Sequence, residues 1–124
     1  MRLLLDTNVL IWWLAESPRL SKETRDAITA EPEVIVSAVS AFEIAVKSAI
    51  GKLRVPGDLE VQIVEQAMTE LPVTLRHGLA VGQLPMHHRD PFDRLLIAQA
   101  QCEGLTIVTA DRTFAAYDVP IMAA

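Results

Sequence analysis

Four acidic residues fall where strand-like apolar segments end or where helices begin. Asp6 follows Arg2-Leu-Leu-Leu5, Glu43 lies downstream of Val34-Ile-Val-Ser37, Asp93 sits within Asp90-Pro-Phe-Asp-Arg-Leu-Leu-Ile97, and Asp111 follows Leu105-Thr-Ile-Val-Thr109. If those segments are neighbouring parallel strands, the carboxylates converge at one end of a sheet, the place where open α/β folds put their sites. Such a cluster asks for a divalent cation. A hard ion such as Mg²⁺ takes oxygen ligands and keeps several waters, which suits a shallow carboxylate pocket facing phosphates.

Each acid also has a plain structural use. Asp6 and Asp111 can cap following helices. Glu43 can close a capping box with Ser40 and pair with Lys47 one turn later. Asp93 is harder to place in that way, because Asp90 already serves as the cap and Asp93 shares a stripe with Ile97 and Ala100 on a helix that is apolar on most sides. A polar group on a core-facing stripe costs about 1–3 kcal/mol, and more when ionised, unless it is paired or bound to metal. A functional role is therefore expected for Asp93, while Arg94 points elsewhere from the same helix. His87 and His88 are adjacent and so point apart, with no third ligand at a zinc-site spacing. They are read as a loop pair that packs beside the Asp90 helix or touches a phosphate.

Composition bounds the rest. With 124 residues, 51% of them apolar and 22% charged, the chain is expected to form one domain, 1–124, with a proper core. A net charge of -5 and a pI near 5.1 exclude a protein that coats nucleic acid through a generally basic surface. They leave room for a local basic rim built from Lys47, Lys52, Arg54, Arg89 and Arg94. The lone Cys102 excludes an internal disulfide and a thiolate zinc site. The opening Met1-Arg-Leu-Leu-Leu5 is interrupted by Asp6, Thr7 and Asn8 before it reaches the length of a signal peptide. No other stretch could span a membrane, so a soluble cytoplasmic protein is expected.

The elements that must position the acids follow from alternation along the chain. Apolar runs rich in β-branched residues recur at Leu3–Leu5, Val34–Val36, Leu71–Val73, Leu105–Val108 and Val119–Met122, separated by segments of helical character. That order predicts βαβ units and a parallel sheet in an α/β fold. Helices are expected over Val9 to Leu14, from Ser21 onward until Pro32, over Ile44 to Ile50 behind a Ser40–Glu43 box with Gly51 as the stop, and over Leu59 to Thr69 behind Asp58. A further helix is expected from Asp90-Pro91 to about Glu103, ending at Gly104. Trp12 and Trp13 give the first helix more aromatic surface than one small sheet face hides, which predicts a homodimer interface there.

The motifs together resemble PIN-domain nucleases, and specifically the VapC-type toxins of toxin-antitoxin pairs. Leu4-Leu-Asp-Thr-Asn-Val-Leu-Ile-Trp12 resembles the opening strand with its Asp-x-Asn turn, and Ser37-Ala-Val-Ser-Ala-Phe-Glu-Ile-Ala-Val-Lys47 resembles the Glu-bearing helix. Leu84 to Ala98 resembles the third motif and Ile107-Val-Thr-Ala-Asp111 the last, so the resemblance spans essentially the whole chain. It implies a three-layer α/β/α fold with a central parallel sheet, and metal binding by Asp6, Asp93 and Asp111, with Glu43 completing the catalytic pocket. Asn8 and Thr109 are implied as groups orienting these carboxylates, with Lys47, Arg89 and Arg94 contacting RNA phosphates. Also implied are Mg²⁺, with Mn²⁺ as a substitute, RNA cleavage, a homodimer and a VapB-type antitoxin. The chemistry fits, since metal-activated water needs no side-chain nucleophile and the chain offers no Ser-His-Asp set. Two other classes remain open: a receiver-like phospho-accepting module, whose only mid-chain candidate is Asp58, and a PIN fold that binds RNA or protein without catalysis.

Overall fold

The computed structural model describes residues 1–55 and 57–124. Five strands, β1 (Leu3–Leu5), β2 (Val34–Ser37), β3 (Thr69–Leu71), β4 (Thr106–Thr109) and β5 (Ile121–Ala123), form one sheet in the order β3-β2-β1-β4-β5. Every pairing is parallel. The chain runs outward from β1 in both directions, so the order reverses beside β1, and this reversal opens a crevice at the carboxyl ends of β1 and β4.

Side chains alternate across the sheet. Leu4, Ile35 and Ile107 face one way and pack with Leu96, Ile97 and Phe114, whereas Leu3, Leu5, Val34, Val36 and Val108 face the other way and pack with Val9, Leu10, Ile28 and Ile44. Both faces are thus covered, by α5 (Leu75–Ala80) and α6 (Pro91–Glu103) on one side and by α1 (Thr7–Leu14), α2 (Lys22–Ala30) and α3 (Ala38–Ala49) on the other. This is the three-layer α/β/α arrangement, and the near-continuous apolar strands are what a sheet buried on both faces requires.

Local chemistry sets the helix ends. Asp6, Ser21, Asp58 and Asp90 cap α1, α2, α4 (Leu59–Glu65) and α6 through side-chain oxygens, as their positions predict. Gly104 closes α6 in the left-handed region at φ 68°, a conformation with a Cβ penalty for other residues. Elsewhere the boundaries move. Strand β3 lies two residues before the expected Leu71–Val73 and β5 begins after Pro120, because Pro72 and Pro120 have no N–H to give a ladder. Helix α4 stops at Glu65 rather than Thr69, with Ala67 at φ 55° reversing the chain into β3. The start of α3 also differs. Ser37 is the cap, accepting from Val39 N–H at 3.0 Å, while Ser40 is buried inside the helix and accepts from the Thr7 hydroxyl at 3.0 Å.

Helix α5 was not anticipated; its capping box pairs Thr74 with His77, where the common pattern has Glu or Gln. Trp12 and Trp13 are half-buried against the α1–α2 core, and the Trp13 indole N–H donates to Gln66 Oε1 at 3.0 Å. Both keep part of their surface exposed. The exposed apolar side chains include Leu75, Leu79, Met86, Phe42, Ile50 and Val64. Among the described residues no helix is long and apolar enough to cross a membrane.

Candidate metal centre

Asp6 ends β1 and caps α1, and it divides its oxygens between two tasks. Oδ1 accepts the Val9 N–H at 2.8 Å, and Oδ2 accepts the hydroxyl of Thr109 from the end of β4. Thr109 Oγ1 in turn accepts the Asp111 N–H at 3.0 Å, so one hydroxyl ties the two acid-bearing turns together. Asp111 repeats the division: Oδ1 accepts the Thr113 N–H at 2.9 Å, and Oδ2 lies 2.8 Å from His88 Nε2. The capping role and the place in the pocket therefore coexist in both residues.

Asp93 stands one turn into α6, where Asp90 does the capping by accepting from Phe92 and Asp93 N–H at 2.9 and 3.3 Å. Its Oδ2 lies 3.0 Å from the same His88 Nε2, so His88 bridges Asp93 and Asp111. The three ligand atoms lie within 4.8 Å of one another. Glu43 reaches the pocket from α3, 5% exposed, with Oε2 paired to Lys47. Its Oε1 is buried and has no hydrogen-bond partner among the described residues. A buried carboxylate oxygen without a partner costs about 1–3 kcal/mol or more, and the carboxylate oxygens gathered here are donors that a hard divalent cation prefers.

The four acids lie close enough to act on one another's charge. Burial pushes the Asp93 carboxyl up to about 7, helped by the charges of Asp90, Glu43 and Asp6 and opposed by His88. Burial also raises Asp6, against the Thr109 and Val9 hydrogen bonds, with Asp111 and Glu43 adding to the rise. Asp111 goes the other way: burial would lift it, but hydrogen bonds from Thr113 and His88 outweigh that and hold it below the ordinary carboxylate range. The Glu43 hydrogen bond raises Lys47, against the cost of burial, and the charges of Asp90 and Asp93 reach it too. Lys47 thus looks onto the pocket.

Two expected positions fail. Arg94 is buried at 8% exposure and donates to the carbonyls of Val81, Leu84, Pro85 and His88 and to the Tyr117 hydroxyl. Buried and with both terminal nitrogens engaged in pinning the 81–88 segment onto α6, it is not placed to meet a phosphate. Asn8 is exposed in the first turn of α1 and makes no hydrogen bond to the four carboxylates, an orienting task that falls to Thr109 alone of the expected pair. Arg89, Lys52 and Arg54 are exposed. Asp58, which a phospho-accepting module would need, is an exposed cap of α4. The residue missed by sequence reasoning is His88, whose only signal was its place in the turn that feeds the Asp90 cap.

Comparison with known proteins gives the family. The profile of the PIN domain matches residues 3–120. The chain belongs to the PIN-domain family. Ribonuclease VapC22 of Mycobacterium tuberculosis (strain ATCC 25618 / H37Rv) is 32% identical to this PIN domain over 120 residues, which cover 94% of this chain and 92% of the relative. Solved structures share the fold. VapBC2 from Rickettsia felis, bound to a DNA fragment from its promoter, aligns with a TM-score of 0.70 at 13% identity over 99% of this chain and 98% of that one. FitAcB from Neisseria gonorrhoeae gives 0.69 at 21% identity, over 97% and 96% of the two chains.

Proposed function

We propose that this PIN domain, as a single unit over residues 1–124, is a divalent-metal-dependent endoribonuclease and the toxin of a VapBC-type pair acting in the cytoplasm. The observation that carries the reading is the buried, unpartnered Glu43 Oε1, set among the carboxylates at the sheet's reversal point. Asp6, Asp93 and Asp111 would hold Mg²⁺, or Mn²⁺ in its place, with Glu43 completing the pocket directly or through water. When bound, the ion supplies Lewis-acid polarisation of the scissile phosphate and a more acidic water.

The chain's own part is orientation. Thr109 fixes the free oxygen of Asp6 and the backbone of Asp111, and the α6 cap sets where Asp93 emerges. Lys47 offers a cation to an incoming phosphate beside Glu43, and exposed Arg89 extends that rim. The substrate class and the VapB-type partner rest on the likeness to ribonuclease VapC22 and to the VapBC complexes. An apolar groove between α3 and α4, lined by Ala38, Ala41, Leu59, Ile63 and Met68, suits an amphipathic antitoxin segment. A homodimer is also proposed, with exposed Leu75, Leu79 and Met86 offering a more accessible surface than the tryptophans.

The test is cleavage of labelled RNA by the purified protein in Mg²⁺, in Mn²⁺ and in EDTA, beside Asp93→Asn. Cleavage in either metal that stops in EDTA and in the variant is expected. Cleavage that survives EDTA, or wild type that cleaves under none of these conditions, would overturn the proposal.

A further inference from the structure

His88 occupies a place in the pocket that none of the four acids explains. Its Nε2 lies 2.8 Å from Asp111 Oδ2, the oxygen that Asp111 does not use for capping, and 3.0 Å from Asp93 Oδ2. Its other ring nitrogen, Nδ1, accepts the Asp90 N–H at 3.2 Å. A nitrogen that accepts holds a lone pair, so the proton of the neutral ring lies on Nε2 and points between the two carboxylates. The ring is also fixed in place. It meets Phe114 edge-on at 5.7 Å, the His88 N–H donates to the Tyr117 hydroxyl at 2.7 Å, and the His88 carbonyl accepts from Arg94 at 3.3 Å. Arg94 donates as well to that Tyr117 hydroxyl, at 3.3 Å. A buried guanidinium, a phenol and a phenyl ring thus hold one imidazole N–H at one point.

We infer that His88 is a positioning residue of the metal centre, whose Nε2–H holds Asp93 and Asp111 in their ligating orientation without itself ligating the ion. The inference rests on the proposed metal-dependent reading. Physically, Asp93 and Asp111 come from different elements and repel each other when ionised. A shared N–H donor between them offsets that repulsion and fixes two carboxylate rotamers before the ion arrives. Hydrogen-bonding partners behind metal ligands are worth 10–100-fold in metal affinity in other sites, and the same order, about 10–100-fold, is expected here. The ring is not a free ligand, because binding through Nε2 would place the proton on Nδ1 against the Asp90 N–H.

The experiment is calorimetric titration of Mn²⁺ into wild type, His88→Ala and His88→Gln, each checked for fold by circular dichroism. Glutamine keeps an N–H donor at nearly the Nε2 position. The expected result is Mn²⁺ affinity roughly 10–100-fold weaker in H88A and within about threefold of wild type in H88Q. If H88A does not fold, H88Q against the apolar His88→Met makes the same comparison. Equal affinities in all variants would overturn the inference while leaving the metal centre standing, and equal losses in H88A and H88Q would reduce His88 to ring packing on Phe114. Wild type that binds no Mn²⁺ would instead remove the metal-dependent reading itself. Nitrogen-15 spectra of the ring supply the second readout. The Nε2–H form is expected in EDTA and in Mg²⁺ alike, and an Nδ1–H form appearing with Mg²⁺ would make His88 a ligand and overturn the positioning role.

Discussion

Replacing Asp93 with Asn separates a functional carboxylate from a structural one. In the folded protein its carboxyl is pushed up to about 7 from an ordinary 3.8, first by burial and then by the charge of Asp90. The sign follows from linkage: a folded-state value above the unfolded one means that ionisation opposes folding. The loss is absent below pH ~4, grows through the interval up to pH ~7 and is complete above it. The full shift corresponds to ~4 kcal/mol at 1.36 kcal/mol per unit. Since the side chain is 19% exposed and shares solvent with its neighbours, screening reduces this to about 2 kcal/mol. Asparagine keeps the shape and loses the charge, so in EDTA at pH 8 Asp93→Asn should melt about 6–10 °C above wild type, from the usual scaling for a domain of this size. At pH 5 the gap should shrink by at least half. Asp6 adds to the same trend, whereas Asp111, held low, contributes stability that is lost only on acidification. Saturating Mn²⁺ should reverse the order, since ligand at ~100 times its Kd adds ~2.7 kcal/mol to the form that binds it. Scanning fluorimetry at pH 5 and pH 8, with EDTA and with Mn²⁺, makes the comparison. A variant that melts below wild type in EDTA at pH 8, with an unchanged gain from Mn²⁺, would refute the reasoning and return Asp93 to a structural role.

Asp90→Asn should keep most RNA cleavage, because Asn caps helices as well as Asp does, and NMR titration should find the Asp93 carboxyl lowered once the neighbouring charge is gone. Loss of cleavage equal to that in Asp93→Asn would place Asp90 in the machinery instead. Arg94→Lys should destabilise by about 2–4 kcal/mol in urea, since an ammonium cannot satisfy carbonyls that the guanidinium fork reaches together. The salt dependence of RNA binding should fall by roughly one unit of slope in Arg89→Ala and stay unchanged in Arg94→Lys. Thr109→Val should cost about 2 kcal/mol and weaken Mn²⁺ binding, because Asp6 loses a donor and the Asp111 N–H loses its acceptor. Thr109→Ser should restore both, and calorimetry on the pair decides it.

What was legible in the sequence was local. Caps announce themselves by residue type beside a helical run, so Asp6, Ser21, Asp58, Asp90 and Gly104 fell where expected. Strands β1, β2 and β4 were equally plain, because a strand buried on both faces reads as a continuous apolar run. Prolines misled at Pro72 and Pro120, where apolar side chains mimic strand while the missing N–H forbids it. Helix α5 escaped because His77 closes a box usually closed by Glu or Gln. The four acids were legible as candidates because each follows a strand-like run or lies near a helix start, but the contacts of Arg94 and His88 are made across the fold. Whether an arginine faces a phosphate or a ring of carbonyls is decided by how the 81–88 segment wraps back onto α6, and helix periodicity does not encode that. His88 reaches Asp111, 23 residues away, as well as Asp93 only because β4 docks beside the start of α6.

The central claim is that Asp6, Glu43, Asp93 and Asp111 enclose one cation centre. Anomalous diffraction from crystals of the protein soaked in Mn²⁺ tests it most directly. The account predicts an anomalous peak in direct contact with the carboxylate oxygens of Asp6, Asp93 and Asp111, beside Glu43 Oε1, and absent from crystals of Asp93→Asn. A peak coordinated elsewhere, or one undiminished in the variant, would contradict it.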